Sequence, residues 1–278
     1  MPEHYLIKKS SGEKQHYSVE KLRNSLRLAG ATDEIAILIT AEIEKDLSGG
    51  ISTRNIYKKA FRLLRNKKHS IAARYSLKNA IMELGPTGYP FEKYIGEIFR
   101  SQGFQVKVGI MTKGKCVTHE VDVIATSNER TILVECKYHN TPGKMCNIQV
   151  PLYIQSRFQD IRASFEANHG SGYENFEGWV ITNTRFSSDA EQYGKCAGLH
   201  LVGWDYPRNG SLKDLVENAG LYPITVLTGL NRKQKEHLIE RNIVLCRDLY
   251  DHPYLLDNLG LASGSIEKVM TEVRELND

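Results

Sequence analysis

The chain has 278 residues, a formal charge of +4, 41% hydrophobic and 25% charged residues, the balance of a soluble chain of about two domains with room for a third small one. No run of about 18 apolar residues is present, which excludes a spanning helix, and the opening MPEHYLIKKSSGEKQHY lacks the apolar core of a secretion signal, so a cytoplasmic location is expected. Cys116, Cys136, Cys146, Cys196 and Cys246 are five in number with no CxxC pair; neither a disulfide framework nor a zinc site is indicated, and small buried hydrophobes are the reading.

The charge is uneven. Residues 1–85 hold 16 Lys and Arg against 9 Asp and Glu, so the first part of the chain prefers anions and the remainder is net negative. Its opening reads as two short strands around a Ser-Ser-Gly turn. Ser18 then caps a helix with Leu22, Leu26 and Leu28 as its apolar residues. A second helix, about Thr32 to Leu47, turns Ile35, Ile39 and Ile43 inward and stops at Gly49-Gly50. A third begins near Thr53, packing Ile56, Ala60, Leu63 and Leu64 while Lys58, Lys59, Arg62, Arg65, Lys67 and Lys68 stay in solvent; such a basic face is usually only a solvated one. The helix IAARYSLKNAIMELG runs into GPTGYP, a Gly/Pro break that sets a domain boundary near residue 86.

The second segment, about Thr87 to Pro207, alternates helix and strand signals. YPFEKYIGEIFRSQG is an amphipathic helix; FQVKVGIMT, CVTHEVDVIAT and TILVECKYHN are three strands; PLYIQSRFQDIRASFEANH is a long helix with Pro151 in its first turn. Strand EGWVITNT, helix SSDAEQYGKCAG and strand LHLVGWDYP close it, which predicts a mixed sheet flanked by helices. The third segment, residues 208–278, is helical, with an Asn231 to Gln234 capping box and a final helix after LGLASGS.

Charges interrupt two strands that otherwise look like sheet interior. Glu120 and Asp122 share one face of their strand, and Glu135 and Lys137 share one face of the next. Paired as a meander, these strands bring three carboxylates and an ammonium together. Two carboxylates about 4 Å apart repel by roughly 4 kcal/mol at an effective dielectric near 20, so the cluster calls for protons or a cation. Oxygen ligands without His or Cys partners select Mg²⁺ or Mn²⁺, and a water activated there, with help from Lys137, is a nucleophile for phosphorus. The bland alternative is a buried Glu135–Lys137 ion pair.

Two resemblances follow from these residues. YLIKKSSGEKQHYSVEKL, GISTRNIYKKAF and AARYSLKNAI resemble the ATP-cone, the nucleotide-binding regulatory domain of ribonucleotide reductases. That resemblance implies ATP or dATP held by Lys8, Lys9, Lys21 and Thr53, groups that suit a triphosphate. An extra residue lies between Lys9 and Gly12, and Gln15 stands where a Glu is usual; a basic helical module that binds nothing, or DNA, is the alternative. Asp122 followed by Glu135-Cys136-Lys137 resembles the D…(D/E)xK signature of restriction-endonuclease-like nucleases, and VITNTRFSSDAEQYGKCAGLHLVGW resembles the closing unit of the Mrr-type family.

The nuclease resemblance implies Asp122 and Glu135 as metal ligands, the Cys136 carbonyl as a further one, Lys137 as the water-orienting group and Glu92 as an additional acidic residue. Glu120 stays open, and His119 reads as a hydrogen-bonded core histidine. Gln149, Tyr153 and Arg157 are read as phosphate contacts, with ordinary packing the alternative for Tyr153 and Arg157, which are at helical spacing. The expectation is a multidomain protein: an α-helical ATP-cone with a small N-terminal β-hairpin over residues 1–86, an α/β restriction-endonuclease-like core (αβββαβ) over 87–207, and a helical C-terminal module over 208–278. That last module weakly resembles helix-hairpin-helix folds, with a dimerisation or lid domain equally open. The expected function is a nucleotide-regulated, Mg²⁺-dependent endonuclease acting on double-stranded DNA as a homodimer. A non-catalytic, nucleotide-responsive DNA-binding regulator on the same scaffold is the rival.

Overall fold

The structure, a computed structural model, describes residues 5–8, 14–47, 51–128, 130–169 and 176–277, the side chains of residues 168 and 169 excepted. Two short strands come first, β1 (Leu6–Lys8) and β2 (Lys14–His16), antiparallel with Ile7 opposite Gln15. Ser18 caps α1 (Val19–Leu28) by accepting from the Lys21 N–H. Thr32 caps α2 (Asp33–Glu44), and Ser52 caps α3 (Thr53–Lys67), so Thr53 is the first helical residue, as expected. The expected Gly49-Gly50 stop lies outside the described residues. The next stretch, expected as one helix, is two, α4 (His69–Tyr75) and α5 (Leu77–Met82). The break falls at Ser76, whose hydroxyl donates back to the Ala73 carbonyl at 2.9 Å, a local bond that competes with helix continuation.

Further along lie α6 (Tyr89–Ser101), β3 (Gln105–Lys113), β4 (Thr118–Thr126), β5 (Thr131–Lys137), β6 (Met145–Cys146) and α7 (Gln149–His169). They are followed by β7 (Phe176–Thr182), β8 (Arg185–Phe186), α8 (Ser188–Ala197), β9 (Leu199–Val202) and α9 (Leu212–Ala219). The chain ends in α10 (Arg232–Glu240), α11 (Cys246–Asp251) and α12 (Ser263–Asn277). The Asn231–Gln234 capping box forms as expected, each side chain accepting from the other's N–H.

These elements fall into two compact units that do not coincide with the three expected segments. One comprises residues 1–80, 224–237 and 246–278; the other, residues 81–223 and 238–245. The first has a helical core of Leu26, Ile39, Ile43, Ala60, Leu64 and Ala72, each large aliphatic contributing about 1.5–3 kcal/mol by leaving water. Leu22 and Leu26 of α1 are buried, whereas Leu28, expected beside them, is 66% exposed because the helix ends there and Ala29 turns inward instead. The C-terminal helices join this unit through polar contacts: Thr225 Oγ1 donates to the Ala80 carbonyl at 2.7 Å, and Arg74 donates to the Glu275 carbonyl at 3.1 Å. Glu272 of α12 is buried, yet Thr228 and Gly229 N–H groups donate to it, so the turn before α10 is tied to α12.

The second unit is a mixed α/β layer structure. Its five-stranded sheet has the order β3-β4-β5-β7-β9; the first three strands form an antiparallel meander and the last three run parallel. Ile154, Phe158 and Ile161 of α7 pack against Leu133, Val180, Leu199 and Leu201. Gly178 is needed there, since a Cβ would meet the Phe158 ring at 2.7 Å. The short parallel pair β6–β8 was not expected; two-residue strands carry no periodicity to read. Residues 208–223, expected in the C-terminal module, belong here: the Tyr94 hydroxyl donates to the Leu221 carbonyl at 2.7 Å.

Candidate active site

The site lies where β4 and β5 part. Their described pairing runs from Thr126 opposite Thr131 to Val123 opposite Val134 and stops one residue short of Asp122 and Glu135. There the Asp122 carboxylate, rather than a β4 carbonyl, accepts the Cys136 N–H at 2.7 Å. Each strand remains held from its other side. Glu120 and Val121 of β4 still pair with Met111 and Ile110, and Glu135 to Lys137 still pair with Val180 to Thr182. Thr182 Oγ1 adds a bond to the Lys137 carbonyl at 2.7 Å. Just beyond, Asn183 accepts from the His139 N–H and donates to its carbonyl, both at 2.8 Å, which fixes the chain leaving Lys137. The sequence reading had no signal for Asn183, whose clamp spans 44 residues.

Glu135 is buried and doubly bound. Its Oε1 accepts from Lys137 Nζ at 2.5 Å and its Oε2 from Arg157 Nη1 at 2.9 Å. Arg157, on α7, also donates to the Glu120 carbonyl and lies 5.5 Å from the centre of the exposed Tyr153 ring. It is therefore an ion-pair partner of Glu135, a role that neither of its expected readings contained. Gln149 is exposed and bonds within its own loop, to Asn147. His119 is the hydrogen-bonded histidine expected, its Nε2 lying 2.8 Å from Asp160 Oδ2.

The negative charge is only partly relieved. Burial, and then the charge of Glu135, push the Asp122 carboxyl up to about 6 against the pull of the Cys136 amide, Lys137 and Arg157. Glu92 on α6 is pushed up to about 7 by burial first and then by Asp122, Glu120 and Glu135. Glu120 therefore belongs to the electrostatic cluster. The buried Cys136 thiol is pushed well above its ordinary value, so only its carbonyl suits a cation.

Among the described residues, no group of three His, Cys, Asp or Glu side chains is arranged to hold a metal ion. Two carboxylates and a carbonyl are a smaller donor set, and Mg²⁺ accepts such sets because it keeps several waters. All donors are hard oxygens, and the raised Asp122 and Glu92 carboxyls mark surplus negative potential. The residues fit Mg²⁺ or Mn²⁺ on these grounds and do not fit zinc.

The residues expected to bind a nucleotide are in the first unit. The Lys8 N–H donates to the Ile51 carbonyl at 3.0 Å, and Lys8 bridges to Ser52, which sets it beside the start of α3 where Thr53 lies. Lys8 and Lys21 are exposed and Thr53 is half-buried. Lys21 lies in the first turn of α1. Lys9 falls outside the described residues.

Residues 85–205, which hold the sheet, its flanking helices and the charged strand ends, match the family model described as restriction endonuclease. Residues 222–277 match another, described as AF1548-like, C-terminal. An uncharacterized protein of Archaeoglobus fulgidus is 31% identical over 183 residues, which are 66% of this chain and 99% of that protein. The chain belongs to the family of that archaeal protein. It is also similar to the crystal structure of a protein of unknown function, AF1548, with 29% identity, a TM-score of 0.55, and coverage of 69% of this chain and 98% of the other. A repair endonuclease from Pyrococcus abyssi is similar over 42% of this chain and 46% of its own, at 15% identity and a TM-score of 0.31, a likeness that carries no argument. Both family matches lie beyond residue 84. No helix among the described residues is long and apolar enough to cross a membrane.

Proposed function

We propose that the protein is a Mg²⁺- or Mn²⁺-dependent endonuclease that hydrolyses phosphodiester bonds in double-stranded DNA, as a restriction-like or related defence or repair nuclease. The observation that carries the reading is the parting of β4 from β5 at Asp122 and Glu135, which leaves clustered carboxylates beside Lys137 at a strand end. The family match over residues 85–205 supports it.

When bound, a divalent cation polarises the phosphate and makes water acidic enough to ionise near neutrality. Asp122 and Glu135 would hold it through their carboxylates, with the Cys136 carbonyl as a further oxygen. Lys137, whose side chain is 33% exposed beside Glu135, would orient the attacking water and counter charge on the phosphate. Arg157 fixes the Glu135 carboxylate from behind. Glu92 would take up the water's proton, and burial, with the charge of its neighbours, suits it to that near neutrality.

One observation favours the rival reading, a non-catalytic DNA-binding regulator: both oxygens of Glu135 are engaged by cationic side chains, as in a structural ion pair. A purely structural pair, however, gives no reason for Asp122 and Glu92 to stand unrelieved beside it. Methylated and unmethylated plasmid incubated with the protein and Mg²⁺, with and without ATP, decides between them. Nicked or linear product that disappears in EDTA is expected, and intact plasmid under all conditions would overturn the nuclease reading.

Residues 1–86 are proposed, in addition, as an ATP-cone-like segment that binds ATP or dATP through Lys8, Lys9, Lys21 and Thr53. The set of Lys8 beside the capped start of α3 supports it. Titration calorimetry should show ATP binding weakened by Lys9→Ala and Lys21→Ala; no heat and no thermal shift at millimolar nucleotide would remove the regulatory claim. Cutting both strands with one site per chain makes a homodimer the expected working form.

A further inference from the structure

We infer that the outer face of α3 is a binding surface for the phosphate backbone of DNA, an inference that rests on the nuclease reading and says where its affinity comes from. Arg54, Lys58, Arg62 and Arg65 follow one another at i, i+4, i+8 and i+11, which puts them on one stripe of about 80° and about 16 Å along the axis. All four are exposed, and none is in an ion pair among the described residues. The cation of the same helix that does serve the fold differs from them: Lys59 is only 15% exposed and donates to Asp46 at 2.6 Å and to the Glu42 carbonyl at 2.5 Å. The apolar side of the helix, Ile56, Ala60 and Leu64, is buried, so the cationic stripe is the side left to solvent.

An enzyme acting on a polyanion needs positive surface, and the nuclease unit is short of it. Residues 81–223 hold 14 Lys and Arg against 16 Asp and Glu, and some of those acids form the candidate metal cluster. Residues 1–85 are net positive. Non-specific affinity for duplex DNA is set by how many phosphates are neutralised, whatever the sequence. Four exposed cations spaced along one rigid helix are suited to that, and guanidinium groups engage phosphate oxygens in pairs.

The test is binding of a fluorescently labelled 30-base-pair duplex by the full chain carrying Asp122→Asn, in EDTA, at several salt concentrations. Replacing Arg54, Lys58, Arg62 and Arg65 together by Gln, a good helix former, should weaken binding at least about tenfold at 0.1 M salt. It should also lower the slope of log affinity against log salt by about three to four. Keeping the charge with Arg54→Lys, Arg62→Lys and Arg65→Lys should retain most of the affinity, which separates a phosphate contact from a packing defect. Affinity within twofold of the parent with an unchanged slope would overturn the inference. So would stripe-dependent binding to vesicles of acidic phospholipid with none to DNA. Stripe-dependent DNA binding by a protein that never cuts plasmid would sink the nuclease reading and leave the surface standing.

Discussion

Two aspartates of the same α/β unit meet opposite electrostatic fates. Asp160, on α7, lies 2.8 Å from His119 Nε2 and accepts from the Cys116 and Val117 N–H groups, and its carboxyl is held far below the usual carboxylate range, chiefly by His119. Asp122 shares β4 with His119 yet accepts a single amide, and burial together with Glu135 raises it to about 6. Burial beside a second carboxylate on one side, and a set of donors led by His119 on the other, account for the difference. Asp160 ties the β3–β4 turn to α7 and is a fixture of the fold. Asp122 leaves negative potential unrelieved, which stability alone would remove and which the proposed nuclease function would use.

Activity should separate the pair most sharply. Asp122→Asn, Glu135→Gln and Lys137→Gln are each expected to reduce plasmid cutting by about 10²–10³-fold or more, with far-ultraviolet circular dichroism unchanged. Asp160→Asn should cut within about tenfold of wild type under conditions where it is folded. Equal losses at Asp122 and Asp160 would mean that activity follows the fold and that the contrast has no functional content.

Arg157 probes how the uncompensated side is held in place. Arg157→Gln frees Glu135 Oε2 and removes part of the pull on Asp122, and it should lower activity about 10–100-fold, the usual cost of losing a group that orients a metal ligand, the role proposed for Glu135. The half-saturating Mg²⁺ concentration should rise, and Arg157→Lys should recover part of the loss. A fall in rate with an unchanged Mg²⁺ requirement would limit Arg157 to packing.

What the sequence disclosed divides along the same line. Alternation alone sets Glu120 with Asp122 and Glu135 with Lys137, and short-range rules give the Ser18 cap and the Asn231–Gln234 box, because each depends on residues at most three apart. Arg157 reaches Glu135 across 22 residues, and Asp160 reaches His119 across 41. No local pattern encodes such pairs, and in the sequence alone Arg157 is compatible with a phosphate contact or with packing. Leu28 misled for a related reason: helical spacing assigned it to the core, but the helix end that exposes it is set by where the following turn goes. The division into compact units was equally hidden, since it depends on contacts such as that of Arg74 with Glu275, 201 residues away.

Stability should show the reverse of activity. Asp160→Ala removes the acceptor of two amides and one imidazole, so its urea midpoint at pH 7 should fall below those of wild type and Asp122→Asn. The carboxyl of Asp160 is depressed on folding, so its contribution is present above its ordinary value near 3.8 and is lost as pH falls through the lower folded value. The gap between wild type and Asp160→Ala should therefore narrow in acid. A gap that widens there would mean that the carboxylate is not what the turn depends on.

The smallest effect tests the surplus charge directly. Asp122 and Glu92 are raised on folding, to about 6 and about 7 from ordinary values near 3.8 and 4.5. A raised carboxyl favours the fold at low pH, and that advantage is lost as pH rises through the folded value, here between about pH 4 and 7. Without divalent ions, Asp122→Asn should thus gain in melting temperature over wild type as pH rises from 5 to 8, while its activity is gone. Divalent ions should act in the opposite sense on wild type, because a ligand that binds only the folded state stabilises it, by about 2.7 kcal/mol at a hundred times its Kd. Saturating Mg²⁺ or Mn²⁺ should raise the melting temperature by several degrees at pH 8 and by less at pH 5, where protons already occupy the carboxylates. Asp122→Asn should abolish the ion's effect and Asp160→Asn should keep it. A shift of the same size at both pH values, or one that survives Asp122→Asn, would place the ion elsewhere on the protein.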